Sequence, residues 1–129
     1  MSHYPTKQLT IAYEKLNNMS DTYNSVDFAN FKLIKRRSIT NANILKMYEF
    51  IHYGTLIMTV TYFNNDSVLI SSEFGYSITD RDNMNGLLKL LGIKTIICYR
   101  HYGRIYFTDG KSRDNTTVQL STYDYHRID

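Results

Sequence analysis

The tightest constraint on the fold is the stretch from residue 53 to 92, YGTLIMTVTYFNNDSVLISSEFGYSITDRDNMNGLLKLLG. It holds two apolar, β-rich runs divided by Asn64-Asn65-Asp66. Those three residues tolerate positive φ and so predict a tight hairpin into a strand over 67–72. A helix follows whose two ends are both written in the residues. Thr79 is the expected N-cap, with Asp82 three positions on in place of the capping-box glutamate. Asp80 and Asp82 set negative charge against the positive end of the helix dipole. Met84, Leu87, Leu88 and Leu91 recur at helical spacing, and Gly92 supplies the left-handed residue that ends the run. The expected helix therefore covers about 80–91. Gly86 inside it costs roughly 1 kcal/mol relative to alanine, which close packing against a sheet would explain.

The flanks can be placed around this unit. Residues 1–5 read as an untethered arm. From Thr6, a plausible N-cap, to about Asn18, the residues Leu9, Ala12, Tyr13 and Leu16 fall on one helix face. A polar connector, SDTYNS, comes next. Residues 26–39 give no clean alternation, so helix and strand both fit; a short strand or irregular segment suits them better. Thr40-Asn41-Ala42-Asn43 is turn-like. From Ile44 to Tyr53, Leu45, Met47, Glu49, Ile51 and Tyr53 share one parity and Tyr48, Phe50 and His52 the other. Gly54 interrupts before a run from Leu56 to Phe63, and two apolar faces predict a central strand covered on both sides. Beyond the second helix, strands over 94–101 and 104–108 turn at Gly103. Asp109-Gly110 marks a further turn and KSRDN a loop. Residues 116–123 can add an edge strand, and the tail 124–129 reads as flexible. The expected fold is one α+β domain over 1–129, an antiparallel sheet with the 80–91 helix packed on it and an N-terminal helix.

Composition excludes several function classes. Cys98 is the only cysteine, so no intramolecular disulfide can form, which fits a reducing compartment. The first ten residues lack the apolar core of a signal peptide, and no apolar run approaches the ~20 residues of a membrane span. A cytoplasmic location follows as the expectation. His3, His52, His101 and His126 lack metal-ligand spacing, although His126 sits between Asp124 and Asp129. Cys98 and His101 stand three apart on a strand, hence on opposite faces, and cannot share a proton. Gly75-Tyr76-Ser77-Ile78 lacks the G-x-S-x-G frame of a nucleophile elbow, so Ser77 more simply caps or turns the approach to the helix. With no phosphate or dinucleotide fingerprint either, the chain is expected to have no catalytic residue, cofactor or metal.

Binding is the remaining chemistry. The net charge of +3 and pI near 8.9 allow an anionic partner without naming one. Lys32, Lys35, Arg36 and Arg37 form one basic cluster. Arg100, His101 and Arg104 bracket the second hairpin turn, interleaved with Tyr99, Tyr102 and Tyr106, with Lys111 and Arg113 nearby. Arginine beside tyrosine can hold phosphate and stack on bases, and the same pair anchors protein interfaces. A solvated hairpin end would look alike. The partner-binding residues predicted on this basis are Lys35, Arg36, Arg37, Tyr99, Arg100, Tyr102, Arg104 and Tyr106, with both hairpin guanidiniums on one rim.

One pattern goes further. Tyr53-Gly54-Thr55 leads an apolar strand; Gly75, Tyr76, Ser77 and Thr79 precede a helix with Asn85 in its second turn and a leucine-rich end. Over residues 50–107 this resembles a family of small proteins from phages and mobile elements of low-GC Gram-positive bacteria. The resemblance implies a compact α+β module of phage-like origin and carries no catalytic residue with it. Small phage proteins without an active site commonly work by occupying a host protein, and anti-CRISPR proteins are similar in size and in lack of chemistry. The implied function is inhibition of a host defence complex in the bacterial cytoplasm, the partner being a CRISPR effector as protein or ribonucleoprotein. The basic charge argues against DNA mimicry. A nucleic-acid-binding accessory protein is the alternative.

Overall fold

Thr6 accepts a hydrogen bond from the Leu9 amide at 3.1 Å and so starts α1, Lys7–Asn17, on the expected residue. Leu9, Ala12 and Leu16 are its buried stripe, as the spacing predicts. A computed structural model of the chain describes residues 5–37, 41–110 and 115–121. Residues 1–4 of the expected arm 1–5, the turn residue Thr40, most of the 111–115 loop, the end of the expected 116–123 strand and the tail 124–129 lie outside the described residues.

Among the described residues eight strands follow or flank the helices: β1 Tyr23–Phe28, β2 Phe31–Arg36, β3 Ile44–His52, β4 Thr55–Phe63, β5 Ser67–Ser72, β6 Ile97–His101, β7 Arg104–Thr108 and β8 Thr117–Ser121. The second helix, α2, is Ile78–Leu90, between β5 and β6. Six strands form one antiparallel sheet in the order β1-β2-β3-β4-β5-β8, and β6 with β7 forms a separate two-stranded ribbon. This is the expected α+β architecture, with 117–121 at the sheet edge. No helix among the described residues is long and apolar enough to cross a membrane.

The ambiguous segment is a β1–β2 hairpin. Its Ala29-Asn30 turn has both residues at positive φ, 45° and 69°, and its first strand begins inside the expected polar connector. Tyr53-Gly54 (φ 50° and 77°) and Tyr102-Gly103 (50° and 73°) close two further hairpins in the same way.

β3 and β4 are central, as predicted, but one face of the sheet takes most of the core. Leu33, Phe50, Met58, Val60 and Ile70 lie on that face and are fully buried. On the other face Met47, Glu49, Ile51, Thr59 and Leu69 are half-exposed, which corrects the expectation of two covered faces. A register shift where Ile51 meets Leu56 lets the consecutive residues Ile57 and Met58 both be buried, as a β-bulge allows.

The N-cap of α2 is Ser77, two residues earlier than Thr79. Ser77 Oγ accepts the Asp80 amide at 3.0 Å while Asp80 bonds back to the Ser77 amide, a complete capping box. Met84, Leu87 and Leu88 are buried while Leu91 is half-exposed at the C-cap, and Gly92 takes φ 78° as expected. Gly86 is close-packed, but against α1 rather than the sheet: a Cβ there would stand 2.9 Å from Leu9 Cδ2 and 3.0 Å from Pro5 Cα. Pro5 is therefore half-buried against α2 instead of belonging to a loose arm.

Asn85 fastens the ribbon to α2. Its carboxamide accepts the Cys98 amide at 2.7 Å and donates to the Cys98 carbonyl at 3.0 Å, doing for β6 what a neighbouring strand would do. Asn85→Ala strips a buried N–H and a buried C=O of their partners. We expect a loss of about 1–3 kcal/mol in chemical denaturation; Asn85→Asp, whose buried carboxylate would set an oxygen against the Cys98 carbonyl, costs at least as much.

Candidate functional site

The two predicted basic clusters do not meet. Arg36 pairs across the sheet with Met47, whereas Phe31, at the other end of β2, pairs with His52. Those ends stand about 16 Å apart at the usual strand rise. The ribbon docks toward the His52 end, where Arg100 Nε donates to the Tyr76 carbonyl just ahead of α2.

Within the first cluster Lys35 points into the core side of the sheet and is only 3% exposed. Its Nζ donates to Asn17 Oδ1 at 3.3 Å, an oxygen that also takes the Tyr48 hydroxyl at 2.6 Å. Burial, with Arg37 and Lys46 nearby, holds the Lys35 ammonium below the usual lysine range. Arg36 is ion-paired with Glu49, its guanidinium 4.7 Å from the centre of the Tyr23 ring. Arg37 is exposed.

Within the second cluster the pleat separates the arginines. His101 pairs with Arg104 and Arg100 with Ile105, so Arg104 shares a face with Tyr99, His101 and Tyr106, while Arg100 shares one with Cys98. The expected single rim of two guanidiniums is thus corrected to two faces. Cys98 is buried and its thiol is pushed well above the usual range by desolvation, as befits a packing residue.

A different constellation comes together where β3 ends and α2 begins. His52 Nδ1 stands 2.6 Å from Asp80 Oδ1, with the two side chains 15% and 3% exposed. The other Asp80 oxygen takes the amides of Tyr76 at 3.1 Å and Ser77 at 3.3 Å, so the carboxylate is held by three donors. Phe31 covers one face of the imidazole, with centroids 3.9 Å apart and planes 4° from parallel. A carboxylate can only accept, so Nδ1 carries the hydrogen of this bond.

His52 and Asp80 line a cleft of about 280 Å³ with Tyr53, Thr55, Tyr76 and Thr79. A second cavity, about 350 Å³, also has His52, Tyr53 and Thr79 in its wall and reaches to Gln8 on α1 and to the Ala29-Asn30 turn. Tyr53, Thr55, Tyr76, Ser77 and Thr79, which come from both halves of the sequence pattern, thus converge on one place. Around its mouth Tyr53, Phe74 and Tyr76 are 73%, 71% and 64% exposed, and Ile78 beside them is 53% exposed. Three large rings thus stand exposed around one cleft.

Sequence reading missed this site because its pair is separated by 28 residues. The available signal was the Tyr53-Gly54 turn, which places a bulky ring at positive φ where asparagine or glycine is the usual choice. Among the described residues no group of three or more histidine, cysteine or carboxylate side chains is placed to hold a metal ion. Family models, curated proteins and solved structures offer no match to this chain.

Proposed function

We propose that the chain is a non-catalytic binding protein that docks onto a host protein through the aromatic mouth of the His52 cleft. The observation that carries this reading is the exposure of Tyr53, Phe74 and Tyr76 around a polar cleft built on the His52–Asp80 hydrogen bond. Aromatic anchors over a rigid base are the residues that dominate protein interfaces. Arg100, exposed and fixed to the Tyr76 carbonyl, sets a cation on the same rim and favours an acidic partner surface. The resemblance to phage and mobile-element proteins supplies the biological sense: inhibition of a host defence complex of the CRISPR type, in the cytoplasm of a bacterial host.

The test is a titration of purified CRISPR effector complexes with the full chain. Phe74→Ala and Tyr76→Ala are each expected to weaken binding by about 2 kcal/mol or more, of order thirty-fold, with an unchanged unfolding midpoint. Equal affinity in parent and variants would remove the cleft from the interface, and no binding to any effector would remove the defence role. A hydrolytic turnover of the purified protein that vanishes in His52→Gln would replace this reading with acid–base catalysis. The Asp80-held imidazole is the observation that favours that second reading.

A further inference from the structure

We propose that the outer face of the β6–β7 ribbon is a stacking platform for single-stranded nucleic acid, separate from the His52 cleft and independent of the docking function assigned to it. The inner face, with Cys98, Ile105 and Phe107, is buried against the rest of the molecule. The pleat therefore turns Tyr99, His101, Arg104 and Tyr106 outward together.

Their rings form a continuous row. Tyr99 and Tyr106 are directly opposite, with centroids 5.9 Å apart; His101 lies 6.5 Å from Tyr106 and 4.4 Å from Tyr102. Tyr102 is 94% exposed at the tip of the ribbon and is held at φ 50°. A bulky residue at positive φ with almost no buried surface gains nothing from packing, so its presence calls for a role outside the fold.

Charge points to the partner. Residues 93–108 carry Lys94, Arg100 and Arg104 and no aspartate or glutamate, in a chain whose formal surplus is +3. Lys94 and Arg104 are exposed, and Ile97, exposed on the same face, continues it toward Lys94. Among the described residues of β6, β7 and their turn, this face offers polar-tipped rings, one exposed isoleucine and no carboxylate, which suits a polyanionic strand. The row of rings offers π-faces on which unstacked bases can lie, with Arg104 and Lys94 left for phosphates.

The experiment is fluorescence anisotropy on the full chain with labelled oligouridine and oligothymidine, each about twelve nucleotides long, and a mixed-sequence duplex of equal length. Saturable binding of the single strands, tighter than of the duplex, is the expected result. Tyr106→Ala and the fully exposed Tyr102→Ala each lower that affinity by about ten-fold, within the range of one lost stacking ring. Arg104→Ala lowers the slope of log affinity against log salt by about 0.7, one phosphate's worth for a single strand. Phe74→Ala and Tyr76→Ala leave oligomer binding unchanged, which separates this face from the cleft. Preference for uridine over thymidine oligomers assigns the natural strand to RNA, and the reverse to DNA. No saturable single-strand binding, equal binding of the duplex, or indifference to both tyrosine variants overturns the proposal. So does a loss of protein capture in the ribbon variants with oligomer binding intact.

Discussion

Asp80→Ala is expected to cost about 3–5 kcal/mol of unfolding free energy, since three donors lose their acceptor at roughly 1–3 kcal/mol for each buried group left unpaired. The carboxylate is 3% exposed, and three donors depend on it: His52 Nδ1 and the amides of Tyr76 and Ser77. Alanine leaves all three without their acceptor, and it removes negative charge from the first turn of α2. The reciprocal half of the capping box, Ser77 Oγ to the residue-80 amide, survives, so the helix itself still starts there. Asp80→Asn separates charge from hydrogen bonding: it can still accept the backbone amides, so its cost is smaller. Urea denaturation of the three proteins decides this, and a loss under about 1 kcal/mol for Asp80→Ala would show that the pair is incidental to the fold. The same variant tests the site. The imidazole loses the acceptor of its Nδ1 hydrogen, and Tyr76 loses a backbone anchor on the cleft rim.

How far the fold was legible depended on whether its signals were local. The α1 cap and stripe needed only residues 6–16, and both stand as read. The existence of α2 was equally legible, but two Ser/Thr-x-x-Asp frames compete there, Ser77 with Asp80 and Thr79 with Asp82. Tertiary structure breaks the tie: only Asp80 faces His52, 28 residues away. The β1–β2 hairpin hid because Lys35 occupies an inward position while Ile34, on the opposite parity, is also buried, which erases the alternation. Ala29 gives no hint of a positive φ. The division of Arg100 from Arg104, by contrast, was readable. Across a two-residue turn at Tyr102-Gly103, His101 must face Arg104, and the neighbour of His101 must then point the other way. The fate of Lys35 was not readable, since nothing local says that its strand turns that position toward Asn17.

Leu88→Ala is expected to fall in the upper part of the range of about 2–5 kcal/mol that buried leucine truncations span. Leu88 is 1% exposed and belongs, with Met84, Leu87 and Ile93, to a single buried cluster that joins α1, the six-stranded sheet and the ribbon. The size of such a loss depends on whether the walls can close on the cavity, and here α2 has little freedom to move. At Gly86 its backbone already lies so near Leu9 and Pro5 that even a methyl group would collide. At Asn85 it is tied to both backbone groups of Cys98. Ahead of the helix, a Cβ on Gly75 would be 3.2 Å from Ile105 and 3.4 Å from Ile57 and Met84. Three fixed points prevent the helix from sliding into the space, so most of the cavity persists. Leu91, half-exposed at the C-cap, gives the contrast: its truncation opens no enclosed void and costs less than about 1.5 kcal/mol. Chemical denaturation of both variants beside the parent, with equal denaturant slopes as the control for a common unfolded state, measures the difference. A Leu88→Ala midpoint equal to that of the parent would mean that α2 does not close the core.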